Sequence, residues 1–146
     1  MSLSSKKTLE ESVGEALDHF AEKTREYTRQ QVGAAVAVMA PTLIPTVDTL
    51  GEQITAFMNV QGFRGCDNTG EKIALMHSEL SEALEADRKD LPSDHIEGFT
   101  GVEEELADTV IRILDFAGHH QLRLGEAIIA KLQFNLSRPY KHGKAY

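Results

Sequence analysis

Between Glu71 and Lys89 the chain reads EKIALMHSELSEALEADRK, free of Pro and Gly, and this predicts a strong helix with a charged residue on its apolar side. At about 100° per residue, Leu75, Met76, Leu80, Ala83, Leu84, Ala86 and Ile73 fill one broad sector. Glu79 falls inside that sector and Glu82 at its border. An ionised carboxylate buried without a partner is too costly to persist. Any fold open to this chain must therefore bring a cation, a hydrogen-bond donor or a proton to Glu79. A basic side chain from a neighbouring helix would meet that need, and so would a metal ion.

A second pair of acids has the same three-residue step. The segment GVEEELADTVIRILDFAG, Gly101 to Gly118, also predicts a helix, with Leu106, Val110, Ile113, Leu114 and Ala117 as its apolar stripe. Glu105, Asp108 and Arg112 lie together on the other side, where Asp108 and Arg112 are spaced for an i,i+4 pair. Residues three apart on a helix have Cβ atoms roughly 5–6 Å apart. Two carboxylates at that distance repel each other, and the chain does this twice. Antiparallel packing about the loop Leu91–Thr100 would bring Glu79 and Glu82 opposite Glu105 and Asp108. A hard divalent cation with oxygen ligands, magnesium above all, would then hold the charge.

A third helix is predicted over GEAIIAKLQFNLS, Gly125 to Ser137, with Ile128, Ile129, Leu132 and Leu136 as its core stripe and Pro139 beyond its end. Lys131, Asn135 and Arg138 recur at i, i+4 and i+7 along one edge. Four Lys/Arg and no acid lie from Lys131 onward, which leaves 11 basic against 23 acidic residues before it. Positive charge gathered at one end of an acidic chain suggests a bound anion. An acidic metal cluster beside a cationic stripe is what phosphoanhydride chemistry requires: metal ions polarise the phosphoryl group, and Lys and Arg hold its oxygens and the departing diphosphate.

At this point the motifs GFR (Gly62–Arg64), KIALMHSELSEALEADR (Lys72–Arg88), EEELADTVIRILDFAG (Glu103–Gly118) and KLQFNLSRPYKHGKAY (Lys131–Tyr146) become informative together. From about Leu50 to Tyr146 the chain resembles the MazG-type all-α nucleoside triphosphate pyrophosphohydrolases. The family signature is ExxE followed by ExxD. The resemblance implies that Glu79, Glu82, Glu105 and Asp108 are Mg2+ ligands, with Mn2+ the other candidate ion. It implies that Lys131 and Asn135 serve the triphosphate, with Arg138, Tyr140 and Lys141 as further phosphate contacts. The implied reaction cleaves a nucleoside triphosphate between the α and β phosphates, releasing a monophosphate and pyrophosphate. Glu82, or Glu79, would take the proton of the attacking water. Homodimers or homotetramers are expected, with nucleotide-pool sanitation as the role. The chain has no Trp to stack a base, so Phe57, Phe63 and Phe99 are the aromatic candidates.

The remaining features bound the reading. At 146 residues one domain is the default. The longest apolar run, Ala34–Ala40, ends at Pro41, so no membrane span and no membrane partner are expected. Met1–Lys7 is polar and opens no secretory signal. The single cysteine, Cys66, fits a reducing cytoplasm, and the net charge of −8 disfavours nucleic acid as a partner. Thr8 and Glu11 form a capping box that opens a helix to about Gln31; a break is expected at Pro41–Pro45, and Val47–Asn59 reads as the first core helix.

The expected architecture is an all-α, oligomeric bundle of four to five helices of the NTP pyrophosphatase type, with residues 1–46 as a helical extension and 47–146 as the core. A di-iron carboxylate bundle would need Glu-x-x-His, which is absent from the sequence. A phosphoribosyl-ATP pyrophosphohydrolase and a non-enzymatic helical interaction module are the alternatives.

Overall fold

The computed structural model describes residues 8–63 and 68–139. Arg64, Cys66, Tyr140 and Lys141 lie outside the described residues. The chain is all-helical: α1 (Leu9–Val60), α2 (Thr69–Lys89), α3 (Gly101–His119) and α4 (Leu124–Ser137), with no strand among the described residues. It divides into two compact units. One comprises residues 1–41 and 129–146, the other residues 42–128.

Local chemistry sets the helix ends. Thr8 and Glu11 exchange hydrogen bonds at the start of α1 (2.8 and 3.2 Å), as the sequence predicts. The Asn68 side chain accepts from the Glu71 N–H at the start of α2, and Thr100 and Glu103 form a reciprocal capping box on α3. Asp90 ends α2 in the left-handed region, at φ 50°.

The expected break at Pro41–Pro45 does not occur, and α1 runs unbroken through both prolines. Each proline removes a hydrogen bond to the carbonyl four residues earlier. With this spacing the orphaned carbonyls are those of Ala37 and Pro41, and Ala37, Pro41 and Pro45 are all exposed. Water can therefore satisfy both groups. The Asp48 carboxylate accepts the Gly125 N–H at 2.9 Å, and a Cβ on Gly125 would strike the Ile44 backbone. That close packing holds the segment helical. Continuity also alters the membrane expectation. No residue between Arg29 and Asp48 is charged, and α1 is long and apolar enough to cross a membrane by length and composition.

In the second unit α2 packs on α3, and α1 packs on α3 at a glycine pair. A Cβ on Gly118 would collide with the Gly51 carbonyl, so the two backbones meet directly. Thr55 Oγ1 donates to the Asp115 carbonyl at 2.9 Å beside that contact. The apolar stripes behave differently from expectation. In α3, Leu114 and Ala117 are buried, but Leu106, Val110 and Ile113 are exposed. In α2, Ala83 and Ala86 are buried, whereas Leu80, Leu84 and Ile73 are exposed. In α4, Ile129 is buried, while Ile128 and Leu132 are exposed. The physical reason lies in the α2–α3 seam, which is filled by the charged face of α3 and leaves the apolar stripes open on one chain.

Candidate metal centre

Along α3, Gly101, Glu104, Glu105, Asp108, Arg112 and Asp115 fall on one side at about 100° per residue. This is the side that meets α2. Gly101 allows the approach, since a Cβ there would lie 2.9 Å from the Ala86 methyl group. Glu79, 5 % exposed, projects from α2 into the same seam.

Three of the four expected ligands converge. Carboxylate oxygens of Glu79, Glu105 and Asp108 all lie within 4.8 Å of one another. Glu82 is exposed and stands outside that trio, yet its charge is among those acting on Glu105. Glu105 has its pKa raised, first by burial, then by a hydrogen bond with Glu79 and by the charges of Glu82, Glu79 and Asp108. The cluster holds more negative charge than its surroundings compensate. Oxygen donors at this spacing suit a hard divalent cation.

Arg112 supplies part of the compensation. Its Nε donates to Glu79 Oε1 at 2.5 Å, and its Nη2 makes an ion pair with the same oxygen at 2.5 Å. The expected i,i+4 pairing with Asp108 gives way to this cross-helix contact, because Glu79 is the more buried acid and gains more from a charge partner.

A cleft of about 480 Å³ opens beside the trio. Met58, Phe63, Leu75 and Ile111 supply its apolar lining; Lys72, Arg112, Glu71, Asp108 and Asp115 are its polar members. Lys72 pairs with Asp115 at 3.6 Å. Of the three aromatic candidates, Phe63 lines this cleft. Sequence reading missed Lys72 and Asp115, although a signal was present. Lys72 lies seven residues before Glu79 and Asp115 seven after Asp108, so each shares its acid's helix face.

A second buried acid organises the α2–α3 loop. Glu104 accepts from Ser93 Oγ (2.7 Å) and the Asp94 N–H (3.0 Å), and lies 2.6 Å from His95 Nδ1. The Ser93 hydrogen bond leads in holding its pKa below the usual carboxylate value, and the contact with Glu104 raises that of His95.

Lys131, Asn135 and Arg138 lie in the other unit, whereas the acids belong to residues 42–128. Lys131 and Asn135 are exposed. Lys131 Nζ sits 4.9 Å from the centre of the Phe134 ring, and the Arg138 guanidinium 5.8 Å from it.

Comparison with protein-family models, with curated proteins and with solved structures finds no match to this chain.

Proposed function

We infer that this chain is a Mg2+-dependent nucleoside triphosphate pyrophosphohydrolase. The observation that carries the reading is the convergence of Glu79, Glu105 and Asp108 within 4.8 Å, in a seam where Glu105 already resists ionisation. Those three carboxylates would hold the ion, with Glu82 next to them. A bound Mg2+ would draw charge from phosphoryl oxygens and acidify water.

The chain's own residues do the rest. The apolar wall of Met58, Phe63, Leu75 and Ile111 receives the base and excludes water from one side of the cleft. Arg112 and Lys72 line that cleft as cations for non-bridging oxygens. Glu82, exposed at the border of the cluster, accepts the proton of the attacking water, and the diphosphate departs against cationic groups. Lys131, Asn135 and Arg138, together with Tyr140 and Lys141, remain assigned to phosphate from the sequence motif. The open stripes Leu80–Leu84 and Leu106–Val110 support assembly of two or four copies. Nucleotide-pool sanitation in the cytoplasm is the role this chemistry suits.

One observation favours a second reading. The Arg112–Glu79 pair would also serve a non-enzymatic helical module held together by ion pairs. A panel of canonical and modified nucleoside triphosphates with Mg2+, followed by pyrophosphate release, separates the two. The enzyme reading expects release that is lost in Asp108→Asn with the fold intact. Background rates across the panel would leave the module. Detection of phosphoribosyl-AMP formation from phosphoribosyl-ATP would move the assignment to that activity.

A further inference from the structure

Residues 9–40 of α1 carry two faces. Ala21, Arg25, Arg29, Gly33, Val36 and Ala40 are the less exposed residues, and Val36 is buried. This side meets the end of α4. Arg29 Nη2 donates to the Arg138 carbonyl at 3.2 Å, and a Cβ on Gly33 would sit 3.7 Å from Leu136 Cδ1. At about 100° per residue the opposite side holds a second row, half a turn away. It begins Val13, Leu17, Phe20, Thr24, Tyr27 and Gln31, and it continues through Ala34 to Val38.

Every member of that row is exposed, Phe20 at 70 %, Tyr27 at 64 % and Val38 at 80 %. The steps alternate between four and three, a mean of 3.5 residues, which is the heptad seam of a coiled coil. Five of the eight positions flanking the row are small, Gly14, Ala16, Ala21, Ala35 and Ala37, with Lys23, Thr28 and Gln30 as the others, so another backbone can approach closely at both ends of the row. Charges such as Asp18, Glu22 and Glu26 stay off it. We propose that this row is a docking surface for the same row of a second copy of the chain, in a parallel two-stranded coiled coil.

Three considerations select that occupant. A 3.5-residue repeat matches another supercoiled helix, and α1 is much longer than α2, α3 or α4. A membrane surface instead calls for a polar face rich in Lys and Arg, whereas Glu15, Asp18, Glu22 and Glu26 outnumber Lys23, Arg25 and Arg29 here. With aromatics contributing about 150–250 Å² each, the row offers on the order of 500 Å² per helix, enough for a pair to reach the lower bound of a specific interface. Orientation follows from the two polar members. In parallel register Thr24 faces Thr24 and Gln31 faces Gln31, where paired amides satisfy each other; antiparallel pairing would set Gln31 against Phe20.

The test uses the full chain with its single cysteine replaced, Cys66→Ser. Thr24→Cys, a small change that should not disturb the helix, is expected to give a disulfide-linked dimer under mild oxidation at least tenfold faster than Glu22→Cys. Tyr27→Cys, one seam position along, should do the same. Leu17→Glu/Tyr27→Glu should lower the mass in sedimentation by one association step with helical circular dichroism retained. Equal crosslinking of Thr24→Cys and Glu22→Cys, or an unchanged mass in the double variant, would overturn the proposal. So would co-sedimentation with phosphatidylcholine–phosphatidylglycerol vesicles that the double variant abolishes, since the row would then belong to a bilayer.

Discussion

Arg112 of α3 places both Nε and Nη2 2.5 Å from a single oxygen of Glu79 on α2. Both contacts, the Nε hydrogen bond and the Nη2 ion pair, fall on Oε1, and neither uses Oε2. Glu79 can thus keep its guanidinium partner and still face the cation proposed for the trio.

The pair leads to a prediction that separates structure from chemistry. Glu79 is 5 % exposed while the Arg112 side chain is 36 % exposed, so the pair is half-screened. Arg112→Ala should cost about 1–3 kcal/mol in chelator, below the roughly 3–5 kcal/mol of a fully buried pair. If Glu79 faces a cation, 10 mM Mg2+, a level of about that order being ample for a weak site, should restore part of the loss. Urea unfolding with and without Mg2+ measures this. An equal deficit in both conditions would show that Mg2+ does not stand in for Arg112 at Glu79.

Glu105 gives a pH prediction of definite sign. Its pKa is raised above the ordinary 4.5, with burial the leading cause. The unfolded chain therefore ionises first, and Glu105 subtracts stability as pH rises from about 4.5 through its folded value. Glu105→Gln should raise the melting temperature of the metal-free protein at pH 7–8. The same change should lower Mg2+-dependent pyrophosphate release by about 10²-fold or more if the ligand assignment is right. A variant that melts higher yet turns over normally would remove Glu105 from the ion's ligands.

His95 predicts a slope of the same sign at higher pH. The contact with Glu104 raises the pKa of His95 above the ordinary 6.5. Stability from the protonated ring is then fully present below about pH 6.5 and is lost as pH rises through the folded value. Wild type should be more resistant to urea at pH 6 than at pH 8.5 through this loop, and His95→Ala should flatten that difference. The ring is largely exposed, so the effect will be small and best read as a change of slope. Identical pH profiles for the two proteins would mean that the His95–Glu104 contact does not persist in solution.

How much of this was legible in the sequence differs by element. Helices α2, α3 and α4 were readable nearly to the residue from their apolar periodicity and their Pro/Gly boundaries, and the caps Asn68 and Thr100, which the sequence reading did not use, fix the starts of α2 and α3 locally. Glu79 was legible as a buried acid because periodicity alone places it. The identity of its partner was not, since choosing Arg112 over a metal or another base depends on the approach of two helices far apart in sequence. Pro41 and Pro45 misled for a similar reason. Local rules predict a break, and the packing of Ile44 and Asp48 against Gly125 overrides them. Apolar stripes such as Leu106–Val110 show which side of a helix seeks cover, but not whether the cover comes from the same chain.

Gly118 tests the α1–α3 contact on which the position of the cleft depends. A methyl group there would meet the carbonyl of Gly51 and lie 2.7 Å from Thr55 Oγ1. Helix propensity favours Ala over Gly by about 1 kcal/mol, so in open space the change would stabilise. At Gly14, where nothing lies within 4 Å, Gly14→Ala should show that gain. At Gly118 the obstacle is backbone on one side, which cannot swing aside as a flexible side chain would. Overpacking of that kind costs about 1–3 kcal/mol and outweighs the propensity gain. Gly118→Ala should therefore lower stability while Gly14→Ala raises it, both read by urea denaturation. A stabilised Gly118→Ala would mean that α1 and α3 do not touch through Gly51, and that Met58 and Phe63 do not stand over Ile111 and Arg112 as the cleft requires.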